Sequence, residues 1–80
     1  MYYTYILKSL KDGKHYYGHT SDLQVRLKIH NLGKVRSTKS RIPFELVYFE
    51  EYETKSEASK REYFFKSIDG YTWLKKNKII

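Results

Sequence analysis

The sequence predicts an α+β fold, a three-stranded antiparallel sheet flanked by helices in the order β-β-α-β-α-α. Three observations predict it. Two aromatic and β-branched runs, 2–8 and 14–18, flank Lys11-Asp12-Gly13-Lys14, and Asp-Gly is a strong hairpin signal. A third run of this kind, 44–50, follows Pro43. Two capping boxes, Ser21 with Gln24 and Thr54 with Glu57, mark helix starts after the second and third strands.

Each element follows from its residues. In the first strand Tyr3, Tyr5 and Leu7 alternate with Tyr2, Thr4 and Ile6. Both faces are largely apolar, so this strand belongs in the middle of the sheet. The returning strand is expected to end at Gly18, where a side chain would crowd the backbone or a ligand. A helix follows from about 22 to 32, with Asn31 and Gly33 as stop signals. Its Leu23 and Leu27 form an apolar stripe, and Asp22, Arg26 and His30 form a polar one beside it. Residues 33–43 form a basic loop in which Lys34, Arg36, Lys39 and Arg41 alternate with hydroxylated residues. Two readings of this loop are open, phosphate contact or a mobile solvated segment. The second capping box opens a helix over about 55–67, with Ala58, Arg61, Glu62 and Phe65 on one face. Asp69-Gly70 is expected to break it, and a short basic helix over 71–77 is sealed to the core by Trp73 and Leu74.

Eighty residues bound the chain to one domain, 1–80, with a modest core. The absence of cysteine excludes a disulfide-stapled scaffold and cysteine-ligated zinc. The N-terminal stretch lacks a basic n-region and a long apolar run, so no signal peptide is expected. No run approaches the roughly 20 apolar residues of a membrane span. The expectation is a soluble, cytoplasmic protein. Its net charge of +7 points to a polyanionic partner, nucleic acid first, although simple solubility accounts for the same excess. Nine tyrosines and four phenylalanines offer surfaces for base stacking, though most are needed for the core.

Several side chains have the chemistry for phosphodiester hydrolysis. Glu62 sits on or beside the stripe that faces the core, where a carboxylate needs a partner or a cation. One carboxylate with phosphate oxygens and water suits magnesium, and an i,i+4 pair with Lys66 is the plainer alternative. Tyr5 and Tyr16 fall on strands joined by the hairpin, so their hydroxyls can converge, or both can be core residues. Arg26 suits a bidentate phosphate clamp, with a salt bridge to Asp22 as its plainer role. His19 and His30 are candidates for proton transfer or phosphate contact, although a lone helical histidine is usually neither. The three histidines have no zinc-site spacing.

Taken together these residues resemble the GIY-YIG nuclease family, over nearly the whole chain. The likeness is greatest to small single-domain members related to the N-terminal domain of the excision-repair nuclease UvrC. It rests on Tyr3-Thr4-Tyr5, Tyr16-Tyr17-Gly18, Thr20, Asp22-Leu23, Arg26, His30-Asn31, Gly33, Thr38, Pro43, Leu46-Val47-Tyr48, Glu50, Glu57-Ala58, Arg61-Glu62 and Lys66. The ordered set carries the likeness, not any tripeptide. The resemblance implies a DNA endonuclease with a one-metal mechanism using Mg²⁺ or Mn²⁺, structure-directed or weakly specific, in repair or recombination. A nucleic-acid-binding module of the same fold is the alternative. The resemblance matches Glu62 to the metal-binding glutamate and Tyr16 to the tyrosine that takes a proton from water. It matches Arg26 to the arginine on the scissile phosphate, and Tyr5 and His30 to supporting groups. His19 stands where such members often carry lysine. The expected nucleic-acid contacts are His19, Lys34, Arg36, Lys39, Arg41 and Lys66. Tyr3 and Tyr17 replace residues of the two signature tripeptides, and these 80 residues hold no second domain to choose a target, so substrate choice is expected to be poorly specified or set by a protein partner.

Overall fold

A computed structural model describes all residues, Met1–Ile80. Its elements run β1 (Tyr2–Ser9), β2 (His15–Thr20), α1 (Leu23–Asn31), a 3-10 turn (Lys39–Arg41), β3 (Phe44–Tyr52), α2 (Lys55–Phe65) and α3 (Ile68–Lys76). The three strands form one antiparallel sheet in the order β2-β1-β3, so β1 is central, as its two apolar faces require. Gly13, at φ +74°, completes the hairpin turn between β1 and β2.

The pleat sorts β1 into two cores. Tyr5 and Leu7 meet Phe44 on one face, covered by Leu23 and Leu27 of α1. Ile6 meets Phe65 and Leu74 on the other, covered by α2 and α3 with Trp73 and Tyr48. Ile6, Leu7, Phe65 and Leu74 are essentially inaccessible to water. Each such side chain contributes roughly 1.5–3 kcal/mol relative to exposure.

Long-range polar ties join these layers. Glu50 accepts from the hydroxyls of Tyr48 and Tyr52, each at 2.5 Å, and from Arg61 Nε at 2.7 Å and Nη2 at 3.2 Å. The Arg61 guanidinium also lies 4.7, 4.9 and 4.5 Å from the ring centres of Phe64, Phe65 and Trp73. One ion pair thus fastens β3 to both helices of that face. Burial and the bonds to Glu50 push the Tyr48 and Tyr52 hydroxyls up to about 12.

The structure adjusts four expectations. Strand β2 does not end at Gly18 but continues to Thr20, with Gly18 opposite Tyr5. Helix α1 is capped by Asp22, not Ser21: the Asp22 carboxylate accepts from Val25 N at 3.1 Å. The basic loop is pinned down. Ser9 Oγ donates to the Arg41 carbonyl at 2.6 Å, and the Asn31 amide brackets Phe44 at 2.7 and 3.0 Å. Asp69-Gly70 does not separate the last two helices. The break falls at Lys66-Ser67, Ser67 Oγ accepts from Gly70 N at 3.0 Å, and Asp69 lies in the first turn of α3.

Gly70 is there for space. A Cβ on it would run into the Phe64 carbonyl at the end of α2. Gly70→Ala should therefore pry α3 from α2 and lower stability by about 2 kcal/mol, within the range of overpacked sites. Urea unfolding checks this, and an unchanged midpoint would show that α3 can swing aside freely. No helix is long and apolar enough to cross a membrane.

Candidate active site

The site forms along the free edge of β2 because Gly18 has no side chain. An added Cβ would lie 2.5 Å from the Tyr5 hydroxyl oxygen and 2.6 Å from Cζ. The Tyr5 ring therefore crosses β2 over Gly18 and carries its hydroxyl toward the strand edge. Gly18→Ala should cost about 1–3 kcal/mol by overpacking. It should also shift the aromatic NMR signals of Tyr5 and His30. Unmoved signals would mean that the ring has room to slide.

On this face helix α1 presents Arg26 and His30 one turn apart. Arg26 Nε donates to the Tyr5 hydroxyl at 3.4 Å, and that hydroxyl lies 3.2 Å from His30 Nε2. Tyr16, opposite Leu7 in the register, packs edge-on to His30 with ring centres 4.9 Å apart. The Tyr5 and Tyr16 rings are 6.4 Å apart, so the two tyrosines do converge. Asp22 is the helix cap, and Arg26 turns to Tyr5 rather than to Asp22. The bond to Tyr5 raises the Arg26 pKa further. Burial raises that of Tyr5, with the Glu62 charge adding to the effect. His30 is fully buried, and burial with the nearby Arg26 charge holds its imidazole down to about 4. It is neutral at physiological pH and has no surface from which to touch a phosphate.

Glu62 approaches from the other face. Successive residues of a strand point to opposite sides, so His19 leaves the α2 face beside Gly18. Glu62 Oε1 lies 2.7 Å from His19 Nδ1 and Oε2 lies 2.6 Å from Lys66 Nζ. Burial opposes its ionisation, but the bonds from Lys66 and His19 prevail and hold the carboxyl below the usual range. Glu62 thus makes the i,i+4 pair with Lys66, and its charge reaches the Tyr5 hydroxyl.

The donor set bears on a metal. No group of three or more His, Cys, Asp or Glu side chains is placed to hold one. A single carboxylate fits magnesium, which keeps several waters and takes other oxygens from phosphate. It does not fit a zinc ion, which takes three or four protein ligands.

The expected nucleic-acid contacts divide. Lys34, Arg36 and Lys39 are exposed. Arg41 is instead committed to the fold, with Nε 2.9 Å from Asp12 Oδ2 and its guanidinium over Phe44. His19 and Lys66 are held by Glu62. Thr38 belongs to the site although no local feature marks it. It is fully buried, with Oγ1 2.9 Å from His30 Nδ1. Its signal in the sequence is only its place in the ordered set shared with the family.

Comparison with known proteins shows the family of the chain. A family model described as GIY-YIG catalytic domain matches residues 1–77. A UPF0213 protein of Bacillus pumilus is 47% identical over 78 residues, covering 96% of this chain and 74% of that protein. A UPF0213 protein of Staphylococcus aureus is 46% identical over 80 residues, covering 99% and 93%. The solution structure of a UPF0213 protein from Bacillus halodurans superimposes with a TM-score of 0.55 at 39% identity, covering 98% of this chain and 86% of that one. The chain belongs to the GIY-YIG catalytic domain family, a family of nucleases that act on nucleic acid.

Proposed function

We propose that residues 1–80 form a single-domain, metal-dependent DNA endonuclease that hydrolyses phosphodiester bonds at structured or weakly specified sites. The observation that carries this reading is the grouping of Arg26, Tyr5 and Tyr16 on one face of the sheet, with Glu62 tied to His19, the β2 neighbour of Gly18, and its charge acting on the Tyr5 hydroxyl. A pure binding surface has no use for a carboxylate facing a phosphate.

In this reading Arg26 steadies the scissile phosphate and offsets the charge that develops on it. Tyr16, entering the step as its phenolate, takes a proton from the attacking water and becomes the neutral phenol, and Tyr5 supports Arg26. Glu62 would hold Mg²⁺ or Mn²⁺ with Lys66 displaced, and the bound ion would supply charge neutralisation at the phosphate and the leaving oxygen. His19 and Lys66, released from Glu62, join Lys34, Arg36 and Lys39 in contacts with the backbone of the nucleic acid. The setting is cytoplasmic DNA repair or recombination, with a protein partner supplying target choice.

One observation favours a second reading, a binding module on the same fold: both oxygens of Glu62 are already engaged. The two readings part in one experiment. Labelled duplex, single-stranded, flap, fork and four-way-junction DNAs are incubated with Mg²⁺ or Mn²⁺, beside Glu62→Ala. Metal-dependent cutting that the variant lacks supports the nuclease. Binding without cutting by either protein supports the module.

A further inference from the structure

Five polar groups stand in series on the α1 face of the sheet. Arg26 Nε lies 3.4 Å from the Tyr5 hydroxyl, which lies 3.2 Å from His30 Nε2. His30 Nδ1 lies 2.9 Å from Thr38 Oγ1, which lies 3.4 Å from the Val35 carbonyl oxygen. His30 and Thr38 are inaccessible to water and Tyr5 nearly so, so solvent does not substitute for these three.

The two ends fix the direction of the series. A guanidinium only donates and a carbonyl only accepts. With Arg26 donating into the Tyr5 oxygen, the Tyr5 proton points to His30 Nε2, which must be bare. The ring proton then sits on Nδ1 and is donated to Thr38, whose own proton goes to Val35. The reverse tautomer would make the Tyr5 oxygen accept from both Nε2–H and Arg26 and leave the Tyr5 proton without an acceptor, whereas the Val35 carbonyl accepts from Thr38 N at 3.1 Å in either case. A stranded proton is a costly arrangement for a buried polar group.

We propose that Thr38 is a positioning residue that holds His30 as its neutral Nδ1–H tautomer, so that Nε2 takes the Tyr5 proton and the Tyr5 oxygen is left as an acceptor for Arg26. Thr38 reaches the reaction only through His30, Tyr5 and Arg26. His30, on this account, aims the tyrosine and does not meet the substrate. The catalytic consequence rests on the nuclease reading; the tautomer does not.

The experiment compares the parent with Thr38→Val, which keeps the shape but not the acceptor, and Thr38→Ser, which keeps the acceptor. Long-range ¹H–¹⁵N NMR of the His30 ring reports which nitrogen carries the proton. Single-turnover cleavage of a DNA cut by the parent reports the consequence. The parent and Thr38→Ser should show Nδ1–H, and Thr38→Val should lose that pattern. Cleavage by Thr38→Val should fall by roughly 10- to 100-fold, the usual cost of losing a supporting partner, with DNA affinity nearly unchanged, and Thr38→Ser should restore most of it. An Nε2–H proton in the parent would overturn the proposal. So would a Thr38→Val protein with the parent's spectrum and rate, or a Thr38→Ser protein as impaired as Thr38→Val. Should Thr38→Val not fold, the parent spectrum and the Thr38→Ser rate still decide. Should the parent cut no DNA, the nuclease reading fails and the tautomer stands or falls on its spectrum.

Discussion

Glu62→Ala should lower metal-dependent cleavage by about a thousandfold or more while DNA binding holds or tightens. The loss follows from the work assigned to one carboxylate. A metal that polarises the phosphate lowers the barrier by several kcal/mol, and each 1.36 kcal/mol is about tenfold in rate. No cluster of acidic or histidine side chains stands ready to replace Glu62. The binding half of the prediction comes from charge. Glu62 is held between His19 and Lys66, at 2.7 and 2.6 Å. Its removal frees a lysine at the strand edge and raises the net charge, both of which favour a polyanion. The fold should tolerate the change, because Lys66 is half exposed and turns to water once released. Gel-shift and cleavage assays on one DNA decide the matter. A variant that cuts as well as the parent would remove Glu62 from the mechanism. A variant that neither binds nor cuts would make it a structural residue.

The fold was legible where the signal is local. Period-two alternation located the strands, Asp12-Gly13 the hairpin, and the two apolar faces of β1 its central place. Where several neighbours offer the same chemistry, pattern alone does not choose among them. Thr20, Ser21 and Asp22 are all capping types, and the backbone settles on Asp22 because Thr20 Oγ1 is already tied to the Asp22 backbone at 3.2 and 3.3 Å. Asp69-Gly70 reads as a helix break, yet Gly70 serves the packing of α3 on α2 and Ser67 provides the start. Beyond the hairpin, which brought Tyr5 and Tyr16 together, long-range partners were not legible. Arg61 and Glu50 are eleven residues apart and meet only when α2 lies on β3. Tyr5, Gly18, His30 and Thr38 come from four segments of chain. The resemblance to a family named them as a set, and only the fold says which touches which.

Between about pH 6.5 and pH 4 the protein should lose about 3 kcal/mol of stability through His30 alone. In the unfolded chain this histidine protonates near pH 6.5, whereas in the fold burial, and then the charge of Arg26, hold it down to about 4. Within that window the unfolded state binds more protons, so stability falls as the pH falls, and the loss is complete once both states are protonated. At 1.36 kcal/mol per pH unit the displacement gives the quoted figure. The carboxylates act elsewhere on the scale. Glu50 and Glu62 are held below their usual range, so their contributions are present above the ordinary carboxylate pKa and fade only under more acid conditions. His15 is shifted downward too, mainly by burial, and shares the window with His30, so it needs its own control. Urea midpoints at about pH 7 and about pH 4.5 should differ strongly in the parent and in His15→Gln, and much less in His30→Gln. Equal midpoints in the parent at both pH values would show that His30 accepts a proton in place. It has no good way to do so. A protonated His30 has two donors and no acceptor. It would confront the Arg26 charge, leave the Tyr5 proton without its partner, and sit in a core closed to water. The proton that loosens the fold therefore also breaks the series of bonds that aims Tyr5.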